Sequence, residues 1–143
     1  MNEQMKQITR RLYEVGFAQG RLDVIDELIA PDAVDHAGLP GLPPGREGVK
    51  HFISMVRAAF SDIRFTVEDL IAEGDKVVAR YRMTGTHKGE FLGIAATGRS
   101  VTVSGIDIIR FAGDKMVEHW GQDDQLGLLQ QLGAIRAPTG ATA

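Results

Sequence analysis

Residues 101–124 read VTVSGIDIIRFAGDKMVEHWGQDD. Val101, Val103 and Ile109 place apolar side chains in one strand, which runs on to Phe111. Ala112-Gly113-Asp114 is a tight turn. The second strand starts at Lys115 and ends in two acids, Asp123 and Asp124. Two long antiparallel strands joined by a short turn begin a meander, and the preceding sequence continues it. Ile63, Phe65 and Val67 alternate with Arg64, Thr66 and Glu68, and Val77, Ala79, Tyr81 and Met83 alternate with Val78, Arg80, Arg82 and Thr84. Glu73-Gly74-Asp75 turns the chain between these two strands.

The first half of the chain is helical. Met5, Ile8, Leu12 and Val15 recur at helical spacing, and Leu22, Ile25, Leu28 and Ile29 form a second helix that Pro31 closes. Val49, Phe52, Ile53, Val56 and Phe60 make a third stripe. Residues 35–48 hold Pro40, Pro43 and Pro44 among four glycines and read as a loop, with Leu39 and Leu42 as apolar residues inside it. These two leucines either pin the loop to the surface or close it as a lid over a pocket mouth. A short leucine-rich helix ends at Gly133.

Helices first and antiparallel strands after them predict an α+β domain with the helices on one face of a curved sheet. One domain over 1–136 is expected, with a flexible tail over 137–143. The strands carry apolar residues on both faces, so a homodimer through the sheet is expected.

Composition narrows the chemistry. The 143-residue chain has no cysteine, which removes thiolate nucleophiles, disulfides and cysteine-bound zinc. Its formal net charge is −3 and no basic stripe is visible, so no nucleic-acid partner is expected. No signal-like segment or membrane span is read, and a cytoplasmic protein is expected. The four histidines show no metal-ligand spacing, so no metal is assigned.

The acidic strand end carries the chemistry. Alternation puts Glu118, Trp120, Gln122 and Asp124 on one face, and His119, Gly121 and Asp123 on the other. A carboxylate beside the only tryptophan in a closed cavity would lose water and gain a raised pKa. Trp120, Glu118, Phe52, Leu39, Leu42 and Tyr81 are the candidate substrate-binding residues, and Asp124, His36 and His87 the candidate catalytic ones. Aspartate before a leucine-rich helix is also a preferred cap, and either Asp123 or Asp124 can take that place.

Residues 68–77 (EDLIAEGDKV), 85–93 (GTHKGEFLG), Glu118-His119-Trp120 followed by Asp124, and 125–133 (QLGLLQQLG) resemble SnoaL-like polyketide and ester cyclases. The resemblance covers almost all of the chain, to about Gly133. It implies a cone-shaped α+β barrel with a curved mixed sheet, as in nuclear-transport-factor-like proteins. It implies ring closure by intramolecular aldol condensation of an apolar or aromatic carbonyl compound, with no cofactor. In that family one aspartate near the end of the last long strand acts as acid and base, and the motif position falls on Asp124. Histidine or asparagine side chains at the pocket mouth polarise carbonyls there, and His36 stands at a comparable place; in the mechanism expected here His36 and His87 bond the substrate oxygens. Two further readings stay open. One is an epoxide hydrolase built on an acid–arginine–acid network using Arg80, Arg82 or Arg110. The other is a binding protein without chemistry.

Overall fold

The computed structural model describes residues 2–136, so the tail expected at 137–143 lies outside the described residues. Helix α1 (Asn2–Arg11) runs directly into a π-helical segment, Leu12–Phe17. Helix α2 (Leu22–Leu28) buries Val24, Ile25 and Leu28. Strand β1 (Ile29–Asp35) comes next, then α3 (Arg46–Ala59), the strands β2 (Arg64–Glu73), β3 (Lys76–Thr86), β4 (Ser100–Ala112) and β5 (Lys115–Asp123), and the short α4 (Gln125–Gln131). None of the described helices is long and apolar enough to cross a membrane.

The five strands form one mixed sheet in the order β1-β5-β4-β3-β2. It is open, with β1 and β2 as free edges, so the cone is not a closed barrel. β2 through β5 make the antiparallel meander read from the sequence. β1 does not belong to that pattern. Periodicity ends the second helix at Pro31, but the chain is already extended from Ile29 and pairs parallel to β5. Proline is tolerated there because β1 is an edge strand. Most of its residues are exposed, so no apolar alternation announces it.

The inner face of β4 is the spine of the core, with Val101, Val103, Ile109 and Phe111 all buried. Two apolar clusters pack on the helix side of the sheet. One gathers Phe60, Ile63, Met83, Phe91, Val103 and Leu128. The other gathers Met5, Ile25, Ile53, Val77, Ile109 and Met116. Each fully buried side chain of this size contributes about 1.5–3 kcal/mol.

A bulge in β5 decides what faces the helices. Phe111 pairs with Met116, but the next β4 residue, Arg110, pairs with Glu118. Val117 is the extra residue, and an extra residue shifts the alternation by one. Beyond it His119, Gly121 and Asp123 share the inner face with Ile109, Asp107 and Gly105, their β4 partners. Glu118, Trp120 and Gln122 therefore fall on the outer face, with Arg110, Ile108 and Ile106. The grouping expected from sequence holds, while the face turned to the helices is the opposite one.

Candidate active site

Between the helices and the sheet lies a cavity of about 210 Å³. Leu12, Phe17, Phe52, Phe65, Val103 and Ile109 are among the apolar side chains of its wall. The polar part of the wall includes Tyr13, Tyr81 and four residues of the sheet, Asp35, Asp107, His119 and Asp123.

His119 is held from both sides. Its Nδ1 lies 2.9 Å from Asp35 Oδ1 on β1, and its Nε2 lies 2.8 Å from Asp107 Oδ1 on β4. Parallel pairing places Asp35 opposite His119, and the inner-face alternation of β4 places Asp107 one step away. Burial works against a charge on His119, but the two carboxylates outweigh it and push its pKa up to about 9. Burial likewise opposes ionisation of Asp35, yet the bond to His119 leaves its pKa below the ordinary value. At neutral pH the cluster is thus an imidazolium held by carboxylate partners.

Tyr13 completes the cluster from the helical side. It sits in the π-helical segment, only 5% exposed, and its hydroxyl donates to Asp107 Oδ2. Burial first, and then the nearby Asp107, hold the phenol well above its usual pKa, so it stays protonated. Gly121, the β4 partner of which is Asp107, makes room for this arrangement. A Cβ at 121 would overlap Asp107 Oδ1 and stand 3.0 Å from His119 Nε2. Glycine is needed here for space.

Asp123 ends the inner row. It is exposed as a residue and lines the cavity at its mouth. Partial burial of its carboxyl is the main cause that raises its pKa, against a 2.8 Å bond donated by Gln125 Nε2. No cation pairs with it in the structure described.

The residues singled out from sequence are distributed differently. Phe52 and Tyr81 line the cavity, and Glu118 reaches its edge. Asp124 does not line it. Its carboxylate accepts the Gly127 N–H at 2.9 Å and caps α4. The cap thus falls to Asp124, and Asp123 takes the cavity side. Trp120 lies on the outer face, its ring stacked on His36 at 5.1 Å between centroids. His36 Nε2 lies 2.7 Å from Glu118 Oε2, and Arg110 Nε donates to Glu118 Oε1 at 2.9 Å. This His36–Trp120–Glu118–Arg110 group is a surface assembly behind the site. His87 is fully buried away from the cavity, stacked on Phe60, with its Nδ1 accepting the Thr97 backbone N–H at 3.2 Å. Leu39 and Leu42 are partly buried and do not contribute to the cavity wall. Arg80 and Arg82 pair with Asp69 and Glu68 on exposed side chains. The cation within the acidic cluster is therefore His119, where an epoxide-hydrolase reading wanted an arginine.

Sequence reading missed Asp35, Asp107, His119, Asp123 and Tyr13 as members of the site. One signal was available. Asp107 interrupts the apolar inner row of Val101, Val103, Ile109 and Phe111, and a charge at such a position needs a partner.

An open α+β cone with an apolar cavity and an ionisable cluster on its sheet wall defines a small-molecule enzyme class. The comparisons agree with that class and narrow it. The family model for SnoaL-like polyketide cyclase matches residues 7–132, and the chain belongs to that family. It is 33% identical over 119 residues to nogalonic acid methyl ester cyclase of Streptomyces nogalater, covering 82% of this chain and 89% of the relative. It is 30% identical over 129 residues to aklanonic acid methyl ester cyclase DauD of a Streptomyces species, covering 88% of this chain and 80% of the relative. The structure of TsrD from Streptomyces laurentii superposes with a TM-score of 0.87 at 31% identity, over 94% of this chain and 98% of that one.

Proposed function

We propose that this chain closes a ring in an apolar, polycyclic carbonyl ester by intramolecular aldol addition, with Asp123 as the base. One observation carries the reading: an apolar cavity whose polar groups gather around the inner face of β4 and β5. A hydrophobic wall takes up the fused rings, and the gathered polar groups meet the reacting carbon and oxygen. Asp123 removes a proton from the carbon next to a carbonyl. The resulting enolate attacks a second carbonyl within the same molecule, and the new alkoxide is protonated. Asp123 suits the first step because its pKa is raised and it has no tight cationic partner.

His119 does a different job. Both of its ring nitrogens are engaged, by Asp35 and Asp107, so it acts as a fixed cation instead of a proton carrier. Its charge lies on the wall toward which enolate character develops, and it needs no reorientation during the reaction. The chemistry asks for no cofactor. The test is incubation of the purified protein with nogalonic acid methyl ester and with aklanonic acid methyl ester. A product of unchanged mass and new retention time, formed without added cofactor, is expected. If neither ester nor a panel of related diketones is cyclised, the reading fails.

We further propose that the outer face of the sheet meets a second copy of the chain. Ile71, Val78, Ile108 and Trp120 form one cross-strand row there, with Ile71 62% exposed and Ile108 37% exposed. The charges beside the row are neutralised within the chain, Arg80 by Asp69 and Arg110 by Glu118, so two such faces approach without repulsion. Light scattering should give a dimer mass, and the double substitution Ile71→Lys with Ile108→Lys should give a folded monomer. A monomer mass for the unsubstituted protein at high concentration would rule the interface out.

A further inference from the structure

Tyr81, Gly105 and Asp123 are register partners on three neighbouring strands, and all belong to the inner face. Gly105 has no side chain, and the Tyr81 ring occupies the space. A Cβ on Gly105 would overlap the Tyr81 hydroxyl and ring and stand 2.8 Å from Cε1. The phenol therefore lies across β4, and its hydroxyl reaches the row beside β5. Adjacent strands are only about 4.8 Å apart, so this brings the hydroxyl toward Asp123. Ring contacts hold it there, with centroids 5.3 Å from Tyr13 and 5.7 Å from Phe65.

The two cavity phenols are not equivalent. The Tyr13 hydroxyl is committed to Asp107. The Tyr81 hydroxyl has no protein hydrogen-bond partner among the described residues, and it lines the cavity together with Asp123. Burial, and then the acids Asp107 and Asp123, keep it protonated. An alkoxide is a strong enough base to take a proton even from such a phenol.

We infer that Tyr81 is the acid of the ring closure and that it forms a closed proton circuit with Asp123 across Gly105. This rests on the aldol reading above. Asp123 takes the C–H proton, and the released electron pair becomes the new C–C bond. The electrons of the attacked carbonyl move to its oxygen, and that oxygen takes the Tyr81 proton. Asp123 then returns its proton to the Tyr81 oxygen through a water between them, because the two groups share no direct hydrogen bond. One C–H bond and the π bond of the attacked carbonyl are lost, one C–C and one O–H bond are formed, and the enzyme ends as it began.

Tyr81→Phe keeps the ring over Gly105 and removes only the hydroxyl. With the methyl esters as substrates, kcat should fall by roughly 10²–10⁴ while KM changes little. A Tyr81→Phe protein with full turnover overturns the proposal. A second measurement does not depend on turnover. 1-Naphthol carries a hydroxyl that a phenol in this position would bond, and naphthalene carries none. Fluorescence titration should show Tyr81→Phe losing about tenfold in affinity for 1-naphthol and nothing for naphthalene. Equal changes for the two probes sink the proposal. If the unsubstituted protein turns over no ester, the aldol reading falls, and the naphthol comparison alone decides where the Tyr81 hydroxyl acts.

Discussion

Asp123→Asn should abolish measurable ring closure, and Asp124→Asn should leave it nearly intact. The two acids are adjacent in sequence, so their contrast isolates position from residue type. Asp123 lines the cavity and carries a raised pKa. Removing a positioned general base costs roughly 10²–10⁴ in rate. Asparagine keeps its shape and the contact with Gln125, so the loss reports proton transfer. Asp124 accepts the Gly127 N–H at the start of α4. Asparagine caps a helix about as well as aspartate, so stability should change by no more than a few tenths of a kcal/mol. Asp124→Ala loses the cap and should cost about 1 kcal/mol in urea denaturation, with kcat unchanged. The opposite pattern, with activity lost at 124 and kept at 123, would return the base to the outer position.

His119→Gln gives the largest expected change in stability. In the fold its pKa stands at about 9 because Asp35 and Asp107 hold the charged form. An unfolded histidine titrates near ~6.5. The folded chain binds the proton more tightly, so the contribution is complete below about pH 6.5 and is lost as pH rises through 9. A difference of this size corresponds to roughly 3 kcal/mol. The lowered pKa of Asp35 is the same interaction seen from the acid side, and that contribution disappears as pH falls below the ordinary carboxylate range. Glutamine carries no charge and leaves Asp35 beside Asp107 without a cation. Breaking such a pair costs roughly 3–5 kcal/mol. Urea denaturation from pH 6 to pH 10 should show the unsubstituted protein losing stability across the upper part of that range. His119→Gln should start lower and stay flat there. Two parallel curves would mean that His119 is not protonated in the fold.

The meander was legible because its central strands bury one face, and burial writes a period of two into the sequence. Val77, Ala79 and Met83 on β3, and Val101, Val103 and Ile109 on β4, show it directly. β1 was illegible for the converse reason. Most of it is exposed at the sheet edge, and it contains a proline, so nothing local separates it from a loop. The membership of the site depends on contacts between residues far apart in sequence. Tyr13 reaches Asp107 across 94 positions, and Asp35 reaches His119 across 84. Periodicity has no access to such pairs. It divided β5 correctly into two sets of residues, and only the pairing with β4 shows which set is inside. The family resemblance pointed to Asp124, which caps α4 and is the sequence neighbour of the acid that lines the cavity.

The residue that settles this has no chemistry of its own. Val117 is the extra residue of β5, and every assignment beyond it depends on its being left unpaired in the ladder. Were Val117 paired with Arg110 in a regular ladder, the same letters would turn around, with Trp120 and Glu118 inside and the histidine exposed to solvent. Matching a Glu-His-Trp motif between two members of such a family is therefore insufficient to match their active sites. Whether the strand bulges between the Gly113 turn and the motif is the more informative comparison, because pairing every residue of the same stretch would exchange the two faces while leaving the motif unchanged.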